Sequence, residues 1–117
     1  MYGFNEIELL GNVVNEPKMT ELPNENKTKK TEFNLAVNRK NATALKEAGK
    51  QDVDYFLCEV FGSPAETIAT YLKKGDPIFV KGTMLLDRVD KQTDDGMKTN
   101  VYPKVAITDY RLLADKK

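Results

Sequence analysis

The amino-acid sequence predicts a small all-β domain, a closed barrel of five strands with one helix between the third and fourth. Three observations carry that expectation. Short segments alternate apolar and polar residues at the period of a strand. Glycines stand inside two of these segments, where a curved sheet needs bends. One segment in the middle of the chain carries a full set of helix signals. A length of 117 residues suits one domain with a single core.

The first alternating segment is "FNEIELLGNVV", Phe4 to Val14, where Ile7 and Leu9 alternate with Glu6 and Glu8 and Gly11 marks a bend. "NEPKMTELPNENKTKK" follows, polar and with two prolines, and reads as an irregular or hairpin connection. "TEFNLAVN" resumes strict alternation, with Phe33, Leu35 and Val37 on one face. "RKNATALKEAGKQD" contains helix formers, but Gly49 cuts the run short, so one helical turn or a loop is expected.

The third strand is "DYFLCEVFG", Asp54 to Gly62. It carries rings on both faces: Tyr55 and Phe61 on one, Phe56 with Cys58 and Val60 on the other. "GSPAETIATYLKKGD" is the helix, with Ser63 and Glu66 as a capping box, Pro64 at the first helical position and Gly75 as the stop. Its apolar stripe is Ala65, Ile68, Ala69 and Leu72. "PIFVKGTMLLDRV" is the fourth strand, with a bend at Gly82, and a turn with an Asp-Gly signal at Asp95–Gly96 leads into the fifth. Pro103 pushes the middle of that last strand toward an edge or bulge.

A sheet with two apolar faces needs closure or a second layer, and this strand order is that of the five-stranded Greek-key barrel called the OB-fold. On pattern alone the alternative is an open five-stranded sheet with the helix on one face.

Composition excludes several function classes. The chain has no histidine and one cysteine, Cys58, so imidazole catalysis and a zinc site built from those ligands within one chain are ruled out. No Gly-rich phosphate loop or G-x-S-x-G occurs, and no carboxylate pair stands out. No long apolar run or N-terminal signal pattern is present, which fits a cytoplasmic protein. Net charge is zero but unevenly spread. Residues 1–26 carry Lys18 against Glu6, Glu8, Glu16, Glu21 and Glu25. Residues 27–50 carry Lys27, Lys29, Lys30, Arg39, Lys40, Lys46 and Lys50 against Glu32 and Glu47. A neutral total can therefore hide a basic face, and a solvated lysine-rich loop is the plain alternative.

"LLGNVVNEP", "FNLAVNR" and "DYFLCEVFGSPAETIATYLKKGDPIFVKG" together resemble the bacterial and bacteriophage single-stranded DNA-binding proteins, from Ile7 to about Ala106. The third segment is the most specific, because strand, Phe-Gly, helix, Lys-Lys-Gly and strand-Gly match in one run. The resemblance implies an OB-fold that binds single strands with little sequence preference, without catalysis, cofactor or metal, during replication, recombination or repair. It implies a homo-oligomer, a tetramer built from dimers, in the cytoplasm of a bacterial or phage-infected cell, with recombinase or replication proteins as further partners. Strand one around Ile7–Leu10 is a candidate for pairing with its copy.

Carried over by position, Tyr55 and Phe61 match two base-stacking sites of the family. Arg39, Lys73, Lys74 and Arg88 match sites that are often basic, and Lys30, Lys40, Lys81 and Lys91 are added from charge and location. The chain departs from the family where rings are common: it reads Lys40-Asn41-Ala42 after "AVNR" and Arg88-Val89-Asp90 late in the fourth strand, and it has no tryptophan. Tyr71, Phe79, Tyr102 and Tyr110 are the candidates to compensate. Residues 1–112 are expected to form the binding domain, and residues 113–117 a short end without an acidic tail, which fits a short phage-type member.

Other readings remain beside this one. Phe33, Phe56 and Phe79 suit the core or a subunit contact, Phe4 suits the core, and the plain alternative to stacking for Tyr55 and Phe61 is a protein interface. A primosome-type OB interaction module with weak DNA binding is the first alternative in function, and a carboxylate-dependent nuclease the second.

Overall fold

The chain closes into a barrel because its strands pair in a ring. In the computed structural model, which describes Met1 and residues 3–114, six strands and two helices follow in the order β1 (Ile7–Val13), β2 (Lys18–Glu21), β3 (Lys29–Asn38), α1 (Ala42–Glu47), β4 (Val53–Phe61), α2 (Ser63–Tyr71), β5 (Pro77–Thr93) and β6 (Gly96–Leu112). Strand β1 pairs with β5, β5 with β6, β6 with β4, β4 with β3, and β3 returns to β1. Closure is thin at two places. Strands β3 and β1 meet through Asn12↔Ala36 and Val13↔Leu35, and β4 and β6 run parallel only at Cys58↔Val105 and Glu59↔Ala106.

Two glycines make the tight approaches possible. A Cβ on Gly11 would stand 2.3 Å from the carbonyl oxygen of Ala36, and one on Gly82 would stand 2.0 Å from that of Ala106. Any side chain there would push neighbouring strands apart, so the bends anticipated at both glycines are close backbone crossings. Register shifts between Lys81 and Gly82, where β6 carries one extra residue, Thr108.

Inward residues of the ring form the core. Phe33 and Leu35 of β3, Cys58 and Val60 of β4, Ile78 and Val80 of β5 and Val105 of β6 are buried together with Ala65 and Ile68 from α2 and Leu72 just after it. The helix thus plugs one end of the barrel with the stripe expected of it, and Thr31 pins it by donating to the carbonyl of Ala65 at 2.7 Å. Burial pushes the Cys58 thiol up to about 12, so it is an inert core group.

Several boundaries differ from the sequence reading. The connection after β1 forms strand β2, a hairpin partner for β3, and the short helical run after Arg39 forms α1. The capping box on α2 is absent: the helix starts one residue early at Ser63, and Gly62 takes the cap position at φ 80, where glycine is free to go. Pro64 is then the second helical residue. Gly75 does not stop the helix, because Leu72 turns extended and buries its side chain first. The β5–β6 turn is centred on Asp94 and Asp95, with Thr93 opposite Gly96 and Gly96 at φ 114.

Phe4 lies outside the core, 88% exposed, because it precedes the first residue of the barrel. The β5–β6 pairing continues past the barrel as a long two-stranded arm, out to Thr93 and Gly96. Residues 115–117 of the expected short C-terminal end lie outside the described residues. No helix among the described residues is long and apolar enough to cross a membrane.

Candidate nucleic-acid interface

Alternation along β4 decides which of its side chains reach solvent. Phe56, Cys58 and Val60 turn inward, so Tyr55, Leu57, Glu59 and Phe61 share the outer face. Tyr55 is 67% and Phe61 44% exposed, against 36% for Leu57 between them. The two rings are six residues apart, about 20 Å along a strand. Rings that stay out of a core while their neighbours fill it are available to stack on flat partners.

The middle of this face is an ion-pair chain that crosses four strands. Glu59 is buried to 4% although it points outward. Lys30 of β3 approaches its carboxylate at 3.8 Å and Lys104 of β6 at 3.3 Å. Lys30 also lies 3.1 Å from Glu32, and Lys104 lies 2.9 Å from Asp87 of β5. Hydrogen bonding to Asp87, joined by Glu59, outweighs burial and raises the Lys104 ammonium above its ordinary range. The chain of charges therefore divides the face into a Tyr55 end and a Phe61 end.

Two hollows flank the thin parallel seam of β4 and β6. One, of about 150 Å³, lies between Asp54–Leu57 of β4, Met84 of β5 and Pro103 and Lys104 of β6. The other, of about 310 Å³, lies between Phe61, Pro64, Ile107 and Tyr110. Each hollow thus has one of the two exposed rings on its wall.

The cations expected to meet phosphate do not all gather here. Lys30 is on the face but engaged by Glu32 and Glu59. Arg39, just beyond β3, donates from Nε and Nη2 to the two carboxylate oxygens of Asp54, both at 2.9 Å. Those hydrogen bonds hold the Asp54 carboxyl below its ordinary value and the guanidinium above its own. Lys81 pairs with Glu6 at 2.9 Å on the β1 side. Lys73 and Lys74 follow α2 and sit against β1, where Glu16 accepts from the Lys74 amide at 3.2 Å and Val13 accepts from the Gly75 amide at 2.7 Å.

Arg88 and Lys91 lie on the arm, opposite Val101 and Lys98. Lys40 is exposed between β3 and α1. Among the described residues, Lys40, Lys73, Lys74, Arg88 and Lys91 make no ion pair, whereas Lys30, Arg39 and Lys81 do. Sequence reasoning missed Leu57, Glu59 and Lys104. The first two were within reach, since they share the parity of Tyr55 and Phe61. Lys104 was not, because only the pairing of β4 with β6 brings it to Glu59.

The model of the "Single-strand binding protein family" matches residues 4–112, nearly the whole described barrel and arm. The chain belongs to that family. Relatives named "Single-stranded DNA-binding protein" include one from Onion yellows phytoplasma, 28% identical over 83% of this chain and 86% of that protein. A "Single-stranded DNA-binding protein 1" from Lactococcus lactis is 32% identical over 96% of this chain and 70% of its own length. The one from Oceanobacillus iheyensis is 30% identical over 87% of this chain, which spans only 59% of it. Family membership agrees with the OB-type closure.

Proposed function

We propose that this chain binds single-stranded DNA without catalysis and with little sequence preference, stacking bases on Tyr55 and Phe61. The observation that carries the reading is the pair of solvent-exposed rings on the outer face of one barrel strand, in a chain whose family is named for single-strand binding. Base stacking on an aromatic is worth about 1–3 kcal/mol per base and tolerates any base, because every base has a π face.

Phosphates then follow the cations that lack carboxylate partners, with Lys40 near the Tyr55 end and Arg88 and Lys91 on the arm; Lys73 and Lys74 take a strand that continues around the barrel. Lys30, Arg39 and Lys81 contribute only by exchanging a carboxylate for a phosphate. The same reading makes the protein a coat for exposed strands in replication, recombination or repair, in the cytoplasm of a bacterial or phage-infected cell. Residues 1–112 form its binding domain.

Assembly into a tetramer belongs to this proposal too. Strand β1 meets β3 only at Asn12 and Val13, so the edge of Ile7–Leu10 away from β5 is open to a second copy. Joining several domains raises the effective concentration of each later contact.

The deciding experiment is titration of the chain with labelled oligo(dT), a mixed single strand and a duplex across a salt series. Tighter binding to both single strands, with log K falling steeply as log salt rises, is expected from counterion release. Equal affinity for duplex, or no binding at low salt, overturns the reading and leaves an OB interaction module.

A further inference from the structure

We propose that Glu59 is an electrostatic lock, which holds Lys30 and Lys104 off the phosphates of a strand lying across Tyr55 and Phe61. The proposal rests on the single-strand reading above and adds to it a residue that limits how tightly the strand is held.

The two lysines stand where phosphates would pass. Lys30 is opposite Phe61 in the pairing of β3 with β4. Lys104 lines the hollow that has Tyr55 on its wall. Neighbouring strands lie about 5 Å apart, so a nucleotide stacked on Phe61 has its phosphate within reach of Lys30. Glu59 lies between the rings on β4 and engages both lysines. Lys104 is 3.3 Å from its Oε1 and Lys30 is 3.8 Å from its Oε2.

Burial makes this carboxylate a lock rather than an exchangeable partner. Both lysines also touch solvated carboxylates, Lys30 that of Glu32 and Lys104 that of Asp87. Ion pairs with such groups are worth little, so a phosphate replaces the carboxylate readily. The Glu59 side chain is only 5% exposed, against 38% for Glu32 and 54% for Asp87. Each of its oxygens faces a different lysine, so drawing either lysine onto a phosphate strips one oxygen of its counter-charge. Leaving a buried charge unpaired costs far more than breaking a surface pair. The charge count acts in the same direction. Three carboxylates, Glu32, Glu59 and Asp87, meet two ammonium groups here, and the local field rather than the total charge decides what phosphate meets.

The test titrates wild type, Glu59→Gln, Lys104→Met and the double variant with labelled oligo(dT), over a salt series at neutral pH. Glutamine keeps the shape of glutamate without its charge, so the barrel stays folded. The slope of log K against log salt counts phosphate contacts, which a structural role alone would not move. In Glu59→Gln the Kd at low salt is expected to fall about three- to tenfold, and the slope to steepen by about 0.7 for each lysine released. Lys104→Met is expected to leave the wild-type slope unchanged, yet to remove about 0.7 from the slope of Glu59→Gln. Lys30→Met in the same two backgrounds reads the other side of the lock. An unchanged slope in Glu59→Gln overturns the lock alone, as do lysine variants that flatten the slope equally with and without Glu59. Absence of binding to oligo(dT) by the wild-type chain at low salt overturns the single-strand reading as well.

Discussion

Arg39 grips Asp54 through two parallel hydrogen bonds of 2.9 Å, one residue before Tyr55 in β4. A bidentate pair of this kind competes with phosphate, which the same guanidinium fork also fits. Asp54→Asn is expected to release Arg39 and tighten binding of single strands at low salt. The slope of log K against log salt should steepen by about 0.7 for the one phosphate gained. An unchanged slope places Arg39 away from the strand.

The same pair predicts a pH dependence. The Arg39 hydrogen bonds lower the Asp54 carboxyl below its ordinary 3.8. A depressed folded value means the contribution to stability is complete above the unfolded value and is lost as pH falls through the folded one. The Tm of wild type is therefore expected to exceed that of Asp54→Asn at neutral pH, and the two should converge below pH 3.8. The exposed position keeps the difference small. A gap that persists unchanged in acid rules the pair out as its source.

Tyr55→Ala and Phe61→Ala are each expected to weaken binding of single strands by about 1–3 kcal/mol. Both rings are exposed, so the unfolding midpoint should stay close to that of wild type. Fluorescence anisotropy with labelled oligo(dT) and a urea titration measure the two quantities separately. Full affinity in both variants moves the platform off β4.

Glu59 is the buried member of the ion-pair chain, between Lys30 and Lys104. Glu59→Ala is expected to lower stability by about 1–3 kcal/mol, less than for fully buried pairs because both lysines remain partly solvated. It should also raise affinity for single strands at low salt, since two ammonium groups on the platform lose a competitor. Chemical denaturation and a low-salt titration read the two effects. Loss of affinity in a folded variant would mean that Glu59 positions the lysines for the strand.

Gly82→Ala tests the barrel crossing. With its Cβ placed 2.0 Å from the Ala106 carbonyl oxygen, β5 and β6 must separate or the bulge must shift. The expected cost is about 1–3 kcal/mol or more, as for overpacking in a core. Wild-type stability would show that the strands have room to move.

The local patterns of the chain carried most of the architecture. Alternation marked the barrel strands, with Phe33 and Leu35 inward on β3 and Tyr55 and Phe61 outward on β4, because a strand's period is fixed by its backbone. The helix stripe was legible for the same reason, and Gly11 and Gly82 announced bends before the crossings they permit were known. Local chemistry misled where position by one residue mattered: Gly62 took the cap from Ser63, and Leu72 ended the helix before Gly75, because burial of Leu72 in the core outweighs a terminal signal. What no local pattern contained was the pairing across the ring. The meeting of Glu59 with Lys104, the seat of the Lys74–Gly75 turn against Glu16 and Val13, and the hollow at Tyr110 all depend on segments far apart in sequence. Alternation along β4 was enough to tell which of its rings face solvent, whereas Phe4 was misplaced in the core. Only tertiary structure decided which charges lie beside them, since a parallel seam of Cys58↔Val105 and Glu59↔Ala106 is set by closure of the whole barrel.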